Sequence, residues 1–324
     1  MRVGLFGAGA YGLALSSILN DNRHTVTMWT KSKEEKERLE KTRKNDKLLP
    51  GYVLDKKIKL TNSVEETVSD QDLLIIAIPA VYVDSLCQEM APYIKNNHIV
   101  IATKGIEQDT GLFMNEILEK YLDTKNIAVI SGGSFAIDII DKKPIGLSLA
   151  SKNKKTIELT KKALGNDYLK LRDTKDIIGV EICGSIKNVI ALAAGMLDGL
   201  DANDSTKAML LTEATHDMEA ILHAFHCNKR TVMSFAGMGD LLLTCNSIKS
   251  RNYRFGKLVG EKKPKKELDK FLAETTVEGH YTLESIYGLL RNKKVSIPII
   301  DLIYDIVVGG YDPEELLSFL VYKS

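Results

Sequence analysis

The sequence has no excess of either charge. Lys and Arg total 44 and Asp and Glu total 43, a formal net charge of +1. Dedicated nucleic-acid binders carry a strong basic excess, so this balance argues against a nucleic-acid partner. Cysteine is sparse. Cys87, Cys183, Cys227 and Cys245 lie far apart and form no CxxC pair, which reads as free thiols of a reducing cytoplasm. The opening residues Met1-Arg2-Val3-Gly4-Leu5-Phe6 lack the longer apolar run of a signal peptide, so a cytoplasmic location is expected. There is no internal repeat and no low-complexity tract. What is present is average: 44% hydrophobic and 27% charged residues, the composition of a soluble globular protein. The 324 residues suggest two domains and a core that needs no disulfide or metal staple.

The first thirty residues read as β-turn-α-β. RVGLF (2–6) is a buried strand, residues 13–19 have a helical pattern, and HTVTMWT (24–30) is a second strand. Residues 31–44 are highly charged and predict a solvated helix. Leu73–Ile78, Ile99–Ala102 and Ile127–Ile130 are further buried strands, each preceded by helical or polar sequence. Leu147–Ala150 and Tyr168–Leu171 are weaker ones. This alternation predicts an α/β, mostly parallel, doubly wound sheet over residues 1–175. From Ile177 the pattern is helical, which predicts an all-α second domain over 176–324. Its most apolar stretch, 177–200, has the length of a membrane span, but Glu181, Lys187 and Asp198 interrupt it. It is expected to be a central helix, with no stable membrane insertion.

Gly7-x-Gly9-x-x-Gly12 lies between the first strand and the first helix, the context a dinucleotide fingerprint requires. The first glycine permits a tight turn, the second lets backbone approach a pyrophosphate, and the third lets helix and strand pack closely. The helix start then offers free amides to the phosphates. At the end of the second strand, NAD-preferring sites usually carry an acid. Here the residues are Thr30-Lys31-Ser32, and the first acid is Glu34. Lys31 and the flanking hydroxyls suit a ribose 2′-phosphate, which favours NADPH over NADH; the other reading is that Lys31 simply begins the charged helix.

Four polar groups punctuate the later sequence. Lys104 follows directly on a strand and would face the ligand crevice, unless it is a surface lysine. Lys187 shares its helix face with Cys183, Gly184, Ala191 and Ala194. It either snorkels to an edge or faces a cavity, with Asn188 beside it. Asp240 and Thr244 are four apart and share a face if that segment is helical. Ser250-Arg251-Asn252 is a compact set of phosphate-type donors, or a polar loop.

Taken together, GAGAYG, IATKG, SGGSFA, GSIKNVIALAAGMLDGL, GMGDLLLTC, SRNYRFG and TVEG occur in the order and spacing of the NAD(P)-dependent glycerol-3-phosphate dehydrogenase family, soluble bacterial type, and the chain resembles that family almost end to end. The resemblance implies a Rossmann domain, a helical domain and an active site between them. It implies reversible reduction of dihydroxyacetone phosphate to sn-glycerol 3-phosphate for glycerophospholipid synthesis. By similarity, Lys187 is the proton donor and acceptor and binds substrate, Lys104 contacts cofactor and substrate, and Asp240 and Thr244 orient Lys187 and the substrate hydroxyls. Ser250, Arg251 and Asn252 hold the substrate, and Gly132 and Ser134 line its pocket. Ala10, Tyr11, Lys31, Ala136, Arg251, Val277 and Glu278 contact the cofactor, with Gly7, Gly9 and Gly12.

Two departures stand out. Gly133 replaces the family's proline and Asp138 its glutamate; Asp204-Ser205-Thr206-Lys207 looks more like the eukaryotic branch. They leave open a reductase of another small phosphorylated ketone or aldehyde. His223-x-x-His226-Cys227 lacks a fourth ligand at sensible spacing, and no metal is expected. A nucleotide-sugar dehydrogenase would need a catalytic cysteine, and Cys245 follows Thr244. A redox-sensing nucleotide-binding protein would have no reason to keep both lysines, Asp240 and the Arg-Asn pair. A homodimer is expected from the apolar second domain.

Overall fold

The computed structural model describes residues 1–108 and 110–322. The chain divides into two compact units: Met1–Lys104 with Phe113–Ile177, and Gly105–Leu112 with Ile178 onward.

The first unit is an eight-stranded sheet: β1 Arg2–Phe6, β2 Thr25–Trp29, β3 Lys59–Thr61, β4 Leu73–Ile76, β5 Ile99–Ile101, β6 Ile127–Ser131, β7 Ile145–Ser151 and β8 Leu169–Thr174. The order across the sheet is β3-β2-β1-β4-β5-β6-β7-β8. β7 is antiparallel to β6, and all other neighbours run parallel. Helices α1 Ala10–Asp21, α2 Lys33–Thr42, α3 Val64–Val68, α4 Val83–Met90, α5 Met114–Tyr121, α6 Ala136–Ile140 and α7 Lys154–Leu164 alternate with the strands. Parallel strands are covered on both faces, so β4, LLII, is buried at every position. That double burial is why the strands read as plain apolar runs in the sequence. β1 pairs with both β2 and β4, so the strand order reverses there, and the carboxyl ends of these strands frame a crevice where α/β sheets bind ligands.

α2 is the solvated helix its charge predicts. Only Leu39 is buried; Ser32 caps its start, acids fill its first turn and Lys41 its last. β4 stops at Ile76, two residues short of the expected strand. Beyond it, the Ile78 carbonyl accepts from the Thr103 hydroxyl at 2.8 Å. β3 has three residues and no apolar run to announce it.

The second unit is helical: α8 Ile177–Gly199, α9 Asp204–Ala224, α10 Asp240–Cys245, α11 Arg251–Gly260, α12 Lys265–Glu274, α13 Glu278–Lys293, α14 Pro298–Val307 and α15 Glu315–Tyr322. Among the described residues, α8 alone is long and apolar enough to cross a membrane, and 94% of its most apolar window is buried inside the protein.

α9 and α14 are tied by a buried acid. Asp217, 3% exposed, accepts from the backbone amides of Ile299 (3.0 Å) and Ile300 (3.1 Å) at the start of α14. Burial pushes its carboxyl up to about 7, against the two amides, which pull it down. The ordinary value is 3.8, so from about pH 4 to about pH 7 the folded chain holds a proton that the unfolded chain has lost. This group's contribution therefore makes stability fall as pH rises through that window. Asp217→Asn, which keeps an acceptor and cannot ionise, is expected to flatten that slope in melting curves taken from pH 5 to 7. An unchanged slope would remove Asp217 from the pH response.

Candidate active site

In the first unit the glycine turn follows β1. Gly7 has φ +115°, which a side chain would strain, and its amide donates to the Trp29 carbonyl at 2.9 Å. A Cβ on Gly12 would run into the Gly7 carbonyl, so α1 packs against the turn only because position 12 is glycine. Gly9, the residue before α1, differs: a Cβ there would meet nothing within 4 Å. The space over Gly9 is open, and α1 has neither a side-chain cap nor an acid in its first turn. Its first amides are available to an anion.

A cavity of about 450 Å³ adjoins this turn and is lined by Gly7, Gly9, Trp29, Lys31, Glu35 and Tyr82 among others. The Lys31 ammonium lies 5.1 Å from the Tyr82 ring centre, on one wall. An open glycine turn, uncapped amides and an adjoining cavity of this size fit a dinucleotide.

At the carboxyl ends of β5 and β6, the Lys104 ammonium donates to the Gly132 carbonyl at 3.2 Å. The Tyr11 and Ser134 hydroxyls are hydrogen-bonded at 3.1 Å. Tyr11, Lys104, Gly132 and Ser134 thus gather around one loop despite the missing proline at Gly133. Ala136 opens α6, directly after it.

In the second unit, Lys187 projects from α8 and is 8% exposed. It does not snorkel. Its ammonium donates to the Thr244 hydroxyl at 3.1 Å and lies 3.3 Å from the Asp240 carboxylate. The Thr244 hydroxyl donates to the same carboxylate oxygen at 3.1 Å. The segment is helical, so Asp240 and Thr244 do share a face, and both are 2% exposed. A buried ammonium next to a carboxylate and a hydroxyl is a charge-compensated group able to hold and deliver a proton.

A second chain of contacts begins one residue on. Asn188 donates to the Glu278 carboxylate at 3.2 Å and accepts from the Asn252 amide at 2.8 Å. Asn252 in turn accepts from the Gly279 backbone amide at 2.8 Å. Ser250 caps α11 by accepting from the Tyr253 amide at 3.2 Å, so its oxygen is partly committed. Arg251 is the first residue of α11 and is exposed. Val277 is fully buried. Lys207 reaches the Tyr253 hydroxyl at 3.3 Å.

The Cys245 thiol is buried, and burial foremost pushes its pKa up to about 12. That burial disfavours the thiolate that the nucleophile of a nucleotide-sugar dehydrogenase needs.

These two clusters sit in sequence with known relatives along the whole chain. Residues 2–157 match the model of the N-terminus of NAD-dependent glycerol-3-phosphate dehydrogenase, and residues 176–318 match that of its C-terminus. The chain belongs to the NAD-dependent glycerol-3-phosphate dehydrogenase family. It is similar to the glycerol-3-phosphate dehydrogenase (NAD(P)+) of Agathobacter rectalis, with 33% identity over 100% of this chain and 96% of the relative. It is 35% identical to that of a Thermoanaerobacter species, over 100% of this chain and 98% of the relative. The crystal structure of glycerol-3-phosphate dehydrogenase from Coxiella burnetii superposes with a TM-score of 0.93, at 27% identity and 99% coverage of both chains.

Within this dehydrogenase family, three features of the site carried no signal in the sequence. Tyr82 and Glu35 line the cavity, one from a short loop helix and one from the middle of a charge run. The tie from Asn188 to Glu278 spans 90 positions.

Proposed function

We propose that the chain reduces dihydroxyacetone phosphate to sn-glycerol 3-phosphate, reversibly, with NADPH or NADH, and so supplies glycerophospholipid synthesis. The observation that carries this reading is the buried Lys187–Thr244–Asp240 set in a chain of this family. When bound, the reduced nicotinamide supplies the hydride that reduces the ketone carbon. Negative charge then develops on the carbonyl oxygen. The Lys187 ammonium stabilises that charge and gives up a proton to it, forming the product hydroxyl. Asp240 compensates the ammonium, and Thr244 bridges the two, fixing where Nζ points. Lys104, held at the Gly132 carbonyl, contacts both substrate and cofactor. Gly132 and Ser134 line the substrate pocket. Gly7, Gly9, Ala10, Tyr11 and Gly12 form the cofactor cradle with Lys31 and Ala136; Val277 and Glu278 are cofactor contacts by family resemblance.

Arg251, with Ser250 and Asn252, holds the substrate phosphate. Phosphate binding away from the reacting carbon is converted into positioning. Losing a charge-assisted hydrogen bond of about 1.5–3 kcal/mol is expected to raise KM for dihydroxyacetone phosphate at least about tenfold in Arg251→Ala, with a smaller change in kcat. An unchanged KM would contradict this role.

The same enzyme should reject unphosphorylated dihydroxyacetone. A higher kcat/KM for a different phosphorylated ketone or aldehyde would replace the substrate. The protein is further proposed to work in the cytoplasm as a homodimer. Four free cysteines, three of them buried, fit a reducing compartment. Exposed Met209, Leu242 and Ile248 on the second unit offer apolar surface to a second copy. Sedimentation at the monomer mass would overturn the dimer.

A further inference from the structure

The adenosine end of the cavity carries an acid that the sequence does not place there. Glu35, in the first turn of α2, lines the same cavity as Gly7, Gly9 and Lys31. Its carboxylate is held on three sides: by the Thr30 hydroxyl at 3.0 Å, the Asn45 amide at 3.1 Å and the Arg38 guanidinium at 3.3 Å. The Ser32 hydroxyl donates to Glu34 at 2.7 Å and accepts from the Glu35 amide at 3.1 Å. Thr30 and Ser32 are the hydroxyls the sequence offers to a 2′-phosphate. Both already give their protons to carboxylates. The Asn62 side chain further fixes this loop by donating to the Thr30 and Ser32 carbonyls, at 2.5 and 3.2 Å. Against Glu35 stands Lys31, parked over the Tyr82 ring.

In a doubly wound sheet the adenosine ribose lies at the carboxyl end of the second strand. Here that is Trp29-Thr30, with Glu35 bonded to it. A free 2′-hydroxyl can donate to a carboxylate, whereas a 2′-phosphate meets like charge. We propose that Glu35 is a specificity-determining residue: it accepts from the ribose hydroxyl of NADH and opposes the 2′-phosphate of NADPH, so that cofactor choice is set by Glu35 and Lys31 acting in opposite directions. This rests on the dinucleotide reading of the cavity.

The test is calorimetric binding of two fragments, adenosine 5′-monophosphate and adenosine 2′,5′-bisphosphate, which differ only in the 2′-phosphate. Glu35→Gln keeps an acceptor for Thr30 and removes the charge. It is expected to tighten the bisphosphate about tenfold and not to tighten the monophosphate, as loss of one like-charge contact at partial exposure implies. Lys31→Gln is expected to shift the bisphosphate about tenfold the other way. If both fragments bind the wild type and Glu35→Gln leaves their affinity ratio unchanged, Glu35 is not a selector, and the dinucleotide site stands. If neither fragment binds the wild type, the dinucleotide reading falls, and this proposal with it.

Discussion

Lys187→Ala is expected to lower kcat by at least about a thousandfold, the range that general-acid and oxyanion-stabilising groups supply. Nucleotide affinity should stay near wild type, because the glycine cradle is built from first-unit residues. The substitution also takes from the buried Asp240 carboxylate, 2% exposed, the cation that lies 3.3 Å from it. Some loss of stability will accompany it. Lys187→Arg separates the effects. Arginine restores a cation for Asp240 and cannot act as an acid near neutral pH. Its melting temperature should recover, and its kcat should not. A wild-type kcat in Lys187→Ala would remove Lys187 from the reaction.

Asp240→Ala is the second large effect. It strips the carboxylate 3.3 Å from a buried ammonium. Breaking a buried pair by removing one partner costs about 3–5 kcal/mol, read as a lower denaturation midpoint, and kcat should fall with it. In the double variant with Lys187→Ala, the loss of stability should be smaller than the sum of the two single losses, because the second substitution removes the charge that the first left uncompensated. Strictly additive losses would mean that the two side chains do not act as a pair.

How much of this was legible in the sequence depends on the range over which each signal acts. The parallel strands were legible because burial on both faces makes each one a local apolar run. α8 was legible for the same reason: LAAGML needs no partner to look buried. Lys187 stood out because it breaks that run, and Asp240 and Thr244 because a four-residue spacing is a local fact about a helix. β3 was not legible, since three residues, KLT, carry no pattern. β7 gave no sign of its antiparallel pairing with β6, because direction is a property of the connection and not of the strand. The assignment of Gly105–Leu112 to the second unit was equally silent.

The polar network shows the same limit. Asn188, Asn252 and Glu278 were each singled out in the sequence, but only the fold joins them into one chain of contacts. Glu35 was hidden by company: within KEEKERLEK nothing separates the one acid that lines the cavity from those that face water. Asp217 had a faint signal. It is a lone acid beside Met218 and Ala214 on the buried face of α9, and a buried acid needs donors, which α14 provides with its first amides.

The proposed reaction delivers hydride and proton to the ketone of dihydroxyacetone phosphate. The most direct test supplies reduced cofactor deuterated at the transferring position and identifies the product. Cofactor oxidation should be matched one for one by sn-glycerol 3-phosphate, with a single deuterium on the carbon that bore the ketone. No oxidation with dihydroxyacetone phosphate, or product without the label, would contradict it.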